Sequence, residues 1–406
     1  MDQVLCPGRI IKNPGEAYQD KNRCFQGIPS IVSAPNGRLW AAWYGGGQWE
    51  DKDNYVMVAT APSAGELFGA PCMVIDPPGQ VRAYDATLWL DTDNRMWLFW
   101  SQSYDYFDGR SGVWAMYTEN PQDSEPEWSV PRRICDGIMM NKPLVLGSGE
   151  WLLPVSLCPL CHVKLPDQSY FRDVDKPREA VIMASKNKGR SFFMKSYLPT
   201  DRPRYSGDEH MLVELSPGHV LGFLRTETGI GICESYDGGE TWTDEKPFSP
   251  FPHIPSSRFH VSKLPSGHLL MIGNDPPKER RKICRNDRVT LPNGDEIVAS
   301  WRFRSHLCAA LSVDDGKTFP YKLILDPRSN VAYPDACILP DGTIAAVYDR
   351  ERTGEKEILM ALFRESDIVG DGVLGESCRV LVNQACGSWN EEAAKEHDRC
   401  MKQLFF

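Results

Sequence analysis

One phrase recurs six times along this chain: an apolar strand, a short polar turn carrying Gly or Asn, and a second apolar strand. The copies start at Ile28, Asp85, Lys142, His210, Phe259 and Pro334. Their turns are Pro35-Asn36-Gly37, Asp93-Asn94, Gly147-Ser148-Gly149, Pro217-Gly218, Pro265-Ser266-Gly267 and Pro340-Asp341-Gly342. Such residues accept the positive φ that a tight hairpin needs. Strands such as Leu39-Trp40-Ala41-Ala42-Trp43 and Met96-Trp97-Leu98-Phe99-Trp100 are apolar at every position. A strand with one wet face alternates; a strand covered on both faces does not. The copies begin about 50 to 75 residues apart, which leaves room for two outer strands in each unit. Four-stranded units repeated six times around an axis describe an all-β, six-bladed propeller. Residues 1–406 are therefore read as one domain. The alternatives, an antiparallel sandwich or two unrelated β domains, do not require matched hairpins at such intervals.

A second repeat lies between the hairpins. Ser235-Tyr236-Asp237-Gly238-Gly239-Glu240-Thr241-Trp242 has the form S-x-D-x-G-x-T-W, and Ser312 to Phe319 repeats it with Phe for Trp. Ser185 to Phe192 is a softened copy with Asn187 in place of Asp. The Asp side chain can accept local backbone N–H groups, Gly takes the left-handed position, and the aromatic residue packs beneath. The expected role is structural. At the two ends, Gln3 to Ile11 is expected to add a strand that closes the ring. Asn390 to Gln403, within a tail spanning 388–404, reads as a short helix capped by Asn390.

Composition excludes some partners. The net charge is −10, which argues against nucleic acid, because that binding depends on Lys and Arg displacing counterions. No apolar run approaches the ~20 residues of a spanning helix, so no membrane partner is expected. The first residues lack a secretory pattern. The 13 Cys have no framework spacing, so they read as reduced thiols. A cytoplasmic location is the expectation, and the oligomeric state stays open.

The starts of the innermost strands converge at one end of a propeller axis. Those positions here are Gln26, Asp85, Lys142, Glu209, Arg258 and Tyr333, all polar. Burying each unpaired costs on the order of 1–3 kcal/mol, so a ligand-binding funnel is the reading, with a satisfied structural layer as its alternative.

The S-x-D-x-G-x-T-W copies resemble the Asp-box, or BNR, repeats of the sialidase-like superfamily, from about Ile28 to Phe363. That resemblance implies a Tyr–Glu nucleophile pair, an Asp acid/base and three Arg that hold a substrate carboxylate. Asp208-Glu209-His210-Met211-Leu212-Val213-Glu214-Leu215 is similar to the strand that carries the family's Glu, which points to Glu209. Arg225, upstream of the box at Ser235, and Arg304, upstream of the box at Ser312, match two of the arginines. Tyr333 in Ala332-Tyr333-Pro334-Asp335 matches the nucleophile. The pattern departs at blade one. Sialidases have Arg-Ile-Pro, whereas this chain has Gly27-Ile28-Pro29; Arg23 and Gln26 are the nearby side chains. The acid/base is expected at Asp51 or Asp53, which the resemblance does not separate.

These types suit glycoside hydrolysis, whose oxocarbenium-like transition state needs an acid on one side and an anionic group on the other. A phenol with an ordinary pKa near 10 needs a base such as Glu209. Tyr also avoids the repulsion that a carboxylate nucleophile would meet in a carboxylate-bearing sugar. Arg225 and Arg304 would clamp that carboxylate bidentately. The expected partner is thus a glycan or small acidic sugar, sialic-acid-like or uronic, processed by an exo-acting hydrolase with no cofactor and no metal. Two mechanisms compete. Asp335, two residues from Tyr333 and so on the same strand face, is an alternative nucleophile or base, with Tyr333 as its hydrogen-bonding neighbour. His260, sharing a face with Arg258, is an alternative acid/base for a lyase or rhamnosidase. A non-catalytic glycan-binding propeller is the third reading. The run Tyr348-Asp349-Arg350-Glu351-Arg352 reads as a solvated charge cluster, with its arginines as alternative funnel contacts. Cys158-Pro159-Leu160-Cys161-His162 has a haem-attachment form, discounted for want of context, and Lys278 to Lys282 reads as a solvated charge run.

Overall fold

The structure is a computed structural model. It describes residues 2–104, 108–157, 179–200, 209–226, 229–251, 254–278, 288–290, 296–298, 303–388 and 395. The Cys158–His162 motif, most of the Lys278 run and almost all of the C-terminal tail lie outside the described residues. Among the described residues the strands form six blades and one extra hairpin. The inner strands are Gln26–Ser33, Val81–Leu90, Leu144–Val145, Met211–Ser216, His260–Lys263 and Val331–Ile338. Each opens a four-stranded antiparallel order running outward, and blades one and five carry a fifth strand. No described helix is long and apolar enough to cross a membrane.

The uninterrupted apolar strands are explained by packing on both faces. In Leu39–Gly45, Trp40, Ala42 and Tyr44 face blade two, against Leu88, Leu98 and Trp100. Leu39, Ala41 and Trp43 face blade six, against Ala345, Val347 and Met360. Trp97 and Phe99 likewise turn toward Trp151, Leu153 and Val155 of blade three. The core is therefore a set of inter-blade layers, not one central mass.

The Asp-boxes close their own turns. Ser235 Oγ donates to Asp237 Oδ1 (2.8 Å) and accepts from Gly239 N (2.8 Å), while Asp237 takes both Thr241 N and Thr241 Oγ1. Ser312, Asp314, Gly316 and Thr318 repeat these bonds. Their hydrogen bonds hold both Asp carboxyls down at about 2; for Asp237 these bonds outweigh a rise from burial. In the third copy Asn187 substitutes, bonded to Ser185, Ser191 N and Ser191 Oγ.

The N-terminus does not close the ring. Arg9–Lys12 pairs antiparallel with Met73–Asp76, on the outer edge of blade one. Blade six draws all four strands from Val331–Ile338, Ile344–Arg350, Glu357–Phe363 and Arg379–Gln384, none of them from the N-terminal segment. Blades six and one are joined by their shared apolar layer and by polar contacts. Gln26 N donates to Arg352 O (3.1 Å), Ile28 N to Asp349 Oδ2 (2.8 Å) and Ile31 N to Asp335 Oδ2 (2.9 Å).

Three inner strands break register near their start, between Gly27 and Ser30, Tyr84 and Thr87, and Ala332 and Asp335. At each bulge one residue has positive φ: Ile28 (55°), Asp85 (51°) and Tyr333 (56°). Such a backbone costs an L-residue roughly 1–2 kcal/mol. The bulge upsets the two-residue alternation, which bears directly on Tyr333 and Asp335.

Candidate active site

Tyr333 sits at the axis among three guanidinium groups. Nη1 of Arg225 donates to both Glu209 Oε1 (2.5 Å) and Tyr333 Oη (3.0 Å). The two oxygens are thus no more than two hydrogen-bond lengths apart. The guanidinium carbon of Arg304 stands 5.0 Å from the Tyr333 ring centroid, and that of Arg352 stands 3.9 Å away. Ser256 anchors two of them: its Oγ accepts from Arg225 Nε (3.1 Å) and its carbonyl from Arg304 Nη2 (3.3 Å). Burial pushes the Tyr333 phenol up; the three arginines oppose that rise, and Glu209 adds to it. Glu209 Oε2, Arg304 Nε and Arg352 Nη2 are buried with no hydrogen-bond partner among the described residues. Leaving such atoms unpaired costs about 1–3 kcal/mol each, which a site kept for stability alone would avoid.

Asp335 does not join this group. The bulge separates it from Tyr333, and its carboxylate takes Ser30 Oγ (2.7 Å), Ile31 N and the Lys142 ammonium. His260 Nδ1 lies 3.3 Å and Arg258 Nη2 4.0 Å from its other oxygen. Burial alone would raise this carboxyl; Lys142, His260 and Arg258 outweigh it and hold it far below the usual carboxylate range. Burial pulls His260 down, opposed by Asp335, and its Nε2 contacts Ser262 Oγ (2.9 Å). Arg258 Nε donates to Asn141 and Nη1 to the carbonyl of Pro29. Thus Lys142, Arg258, His260 and Asp335 form an ionic hub that ties blades one, three, five and six together. Two cavities, about 420 and 230 Å³, both lined by Trp89, Lys142, His260 and Ser262, reach the later residues of the inner strands. They lie away from Tyr333.

The remaining expected residues are held by other partners. Gln26 Oε1 accepts from Trp43 Nε1 and Arg23 Nε, and its amide donates to Lys356 O. Asp85 is buried at its bulge, near Tyr44, Tyr84 and Arg82. Asp51 folds under its own loop and accepts from Gln48 N, Trp49 N and Asp53 N. Burial lifts its carboxyl to about 6 against those bonds. Asp53 is exposed and paired with Lys52. The loop carboxylate that reaches the center is Glu50, whose Oε1 accepts from Arg352 Nη1 (3.2 Å).

Sequence reasoning passed over Glu50 and placed Arg352 first in a solvated cluster, with a funnel contact only as the alternative. The run Tyr348–Arg352 is not a solvated cluster throughout: Tyr348 and Asp349 are fully buried, and Arg352 Nε donates to Asp349 Oδ2 (2.8 Å). Although burial would pull it down, Asp349, Tyr333 and Glu50 hold Arg352 above the ordinary arginine value. The available signal was Gly27, a strand start with no side chain to fill its place.

The BNR repeat-like domain family has a model that matches residues 37–346. No curated protein matches the chain. Among solved structures, the Hadza microbial sialidase Hz136 is similar at 16% identity and TM-score 0.62, over 86% of this chain and 68% of that one. A protein of unknown function from Dyadobacter fermentans is similar at 16% identity and TM-score 0.60, over 86% and 96%. The intramolecular trans-sialidase from Ruminococcus gnavus, in complex with oseltamivir carboxylate, is similar at 12% identity and TM-score 0.61, over 89% and 99%. At these identities the likeness is one of fold, a sialidase-like propeller.

Proposed function

Since the chain belongs to the BNR repeat-like domain family, we propose that it is a glycoside hydrolase acting exo-wise on a carboxylate-bearing sugar, sialic-acid-like or uronic. The observation that carries this is the shared Arg225 nitrogen bridging Glu209 and Tyr333, with Arg304 beside them. Tyr333 Oη accepts from a cation, so its own proton is free to pass to Glu209, whose Oε2 is an unused acceptor. The phenolate attacks the anomeric carbon, and the leaving oxygen takes a proton. Glu50 supplies that proton in preference to Asp51 or Asp53, because it alone of the three touches an arginine stacked on Tyr333. Water then attacks the glycosyl–Tyr333 bond, its proton returns to Glu50, and the phenolate recovers its proton from Glu209. Arg225 and Arg304 hold the substrate carboxylate. Burial of Tyr333 and Glu209 strengthens their electrostatic contacts.

The test is a panel of aryl sialosides, hexuronides and rhamnosides, run with wild type and Tyr333→Phe. The proposal expects release of the aryl group from a sugar acid, without the ultraviolet absorbance of an unsaturated sugar. It expects loss of that release in the variant, with the melting temperature kept. Sugar binding without turnover would identify a lectin-like propeller, and an unsaturated product a lyase; either result rejects hydrolysis.

A further inference from the structure

We infer that Arg352 is a third substrate-binding arginine, delivered from blade six into the space that a side chain at position 27 would occupy. The inference rests on the functional reading above and deepens it. Three observations meet. First, a Cβ at Gly27 would stand 2.8 Å from Arg352 Cδ and 2.9 Å from its Cγ and Nε. Those are the middle of the side chain, so Arg352 could not yield by moving its tip alone. Glycine at 27 is the condition for the guanidinium to lie where it does. Second, the guanidinium carbon lies over the Tyr333 ring, 3.9 Å from its centroid. Third, only two of its three nitrogens are engaged. Nε is committed to Asp349 and Nη1 to Glu50, while Nη2 is buried with no hydrogen-bond partner among the described residues.

The local chain explains the delivery. Ile344–Arg350 is the second strand of its blade and ends at the same end of the ring as Tyr333. Glu351 then turns at φ 50°, and Arg352 O accepts from Gln26 N. This pins the Arg352 backbone beside the first strand of blade one. The unused Nη2 and the open edge of Arg304 flank one aromatic ring, which suits a planar anion such as a sugar carboxylate. Arg352 also joins that anion to Glu50, so the group proposed to protonate the leaving oxygen is positioned by the residue that binds the acid.

Calorimetric titration with N-acetylneuraminic acid and glucuronic acid, and with their methyl esters, tests this. Wild type, Arg225→Ala, Arg352→Ala, Gly27→Ala and the double variant Gly27→Arg/Arg352→Ala are compared. Loss of a charge-assisted contact corresponds to about 10- to 100-fold in affinity. Arg352→Ala and Gly27→Ala are expected to lose that much for the acid and less than threefold for the ester. The double variant is expected to regain at least threefold over Arg352→Ala. Should Arg352→Ala fail to fold, Gly27→Ala carries the test, since it keeps every ionic partner. Acid affinity within threefold of wild type in Arg352→Ala or Gly27→Ala, while Arg225→Ala loses it, overturns the inference and leaves the functional reading standing. A double variant no tighter than Arg352→Ala overturns the exchange between positions 27 and 352. If wild type binds neither acid, both readings fall.

Discussion

Replacing Asp335 by Asn should unfold the propeller more readily, by an amount that the hub geometry sets. The Asp335 carboxylate is 1% exposed and faces Lys142, His260 and Arg258. Asn keeps the shape and one acceptor but removes the only carboxylate that the described residues place in this hub, leaving the Lys142 ammonium uncompensated. Breaking a buried pair from one side costs about 3–5 kcal/mol. Lys142 keeps 19% of its side chain exposed toward the cavities, which permits partial hydration, so about 3 kcal/mol is expected. The folded carboxyl is held below its unfolded value of about 3.9. Its contribution is therefore complete above that pH and is lost as pH falls beneath it. Urea unfolding at pH 7, followed by tryptophan fluorescence, measures the loss. The gap between wild type and variant should narrow below about pH 4. Adding Lys142→Met should recover part of the loss, since the two changes share one interaction. A single variant within about 1 kcal/mol of wild type at pH 7 would refute the hub and restore Asp335 as a chemical group.

Three further outcomes are expected. His210 is buried, with Nε2 3.0 Å from Val181 O, and burial lowers its pKa to about 4. Against an unfolded value near 6.5, it contributes fully above that pH and loses about 3 kcal/mol of stability as pH falls toward 4; His210→Gln should flatten the urea-midpoint profile across that window. Gly316 has φ 83°, and a Cβ there would lie 3.2 Å from Leu269 Cδ1, so Gly316→Ala should lose about 1–2 kcal/mol in the same assay. Glu50→Gln should slow hydrolysis by about 10²- to 10⁴-fold for alkyl glycosides and much less for nitrophenyl glycosides, whose leaving group needs no proton; equal loss on both would reject Glu50 as the acid.

The blades were legible because inter-blade packing leaves a direct mark on sequence. Trp40 and Trp43 must both be apolar when opposite faces of one strand are covered, and the Asp-boxes carry their entire bonding pattern within eight residues. Glu209 and Tyr333 stood out because strand starts converge by symmetry, whereas Arg225 and Arg304 were named only through the resemblance to sialidase-like repeats. What escaped depends on departures from that symmetry. The bulge at Tyr333 sends Asp335 into a different network although the two residues are two apart. The place of Arg9–Lys12 depends on which sheet edge is vacant, which no local pattern records. Arg352 depends on a turn at Glu351 and on the absence of a side chain at Gly27. Glu50 lies in a loop whose path, not its composition, decides which carboxylate turns inward.

Covalent trapping tests the central assignment most directly. Wild type is incubated with a glycosyl fluoride of the sugar acid it hydrolyzes, bearing a second fluorine beside the anomeric carbon to slow breakdown of the adduct. Peptide mass spectrometry then locates the added sugar. The account predicts the adduct on the peptide containing Tyr333, at the phenolic oxygen, and none in Tyr333→Phe. An adduct on Asp335 or Glu50, or steady turnover of the fluoride by Tyr333→Phe, would contradict it.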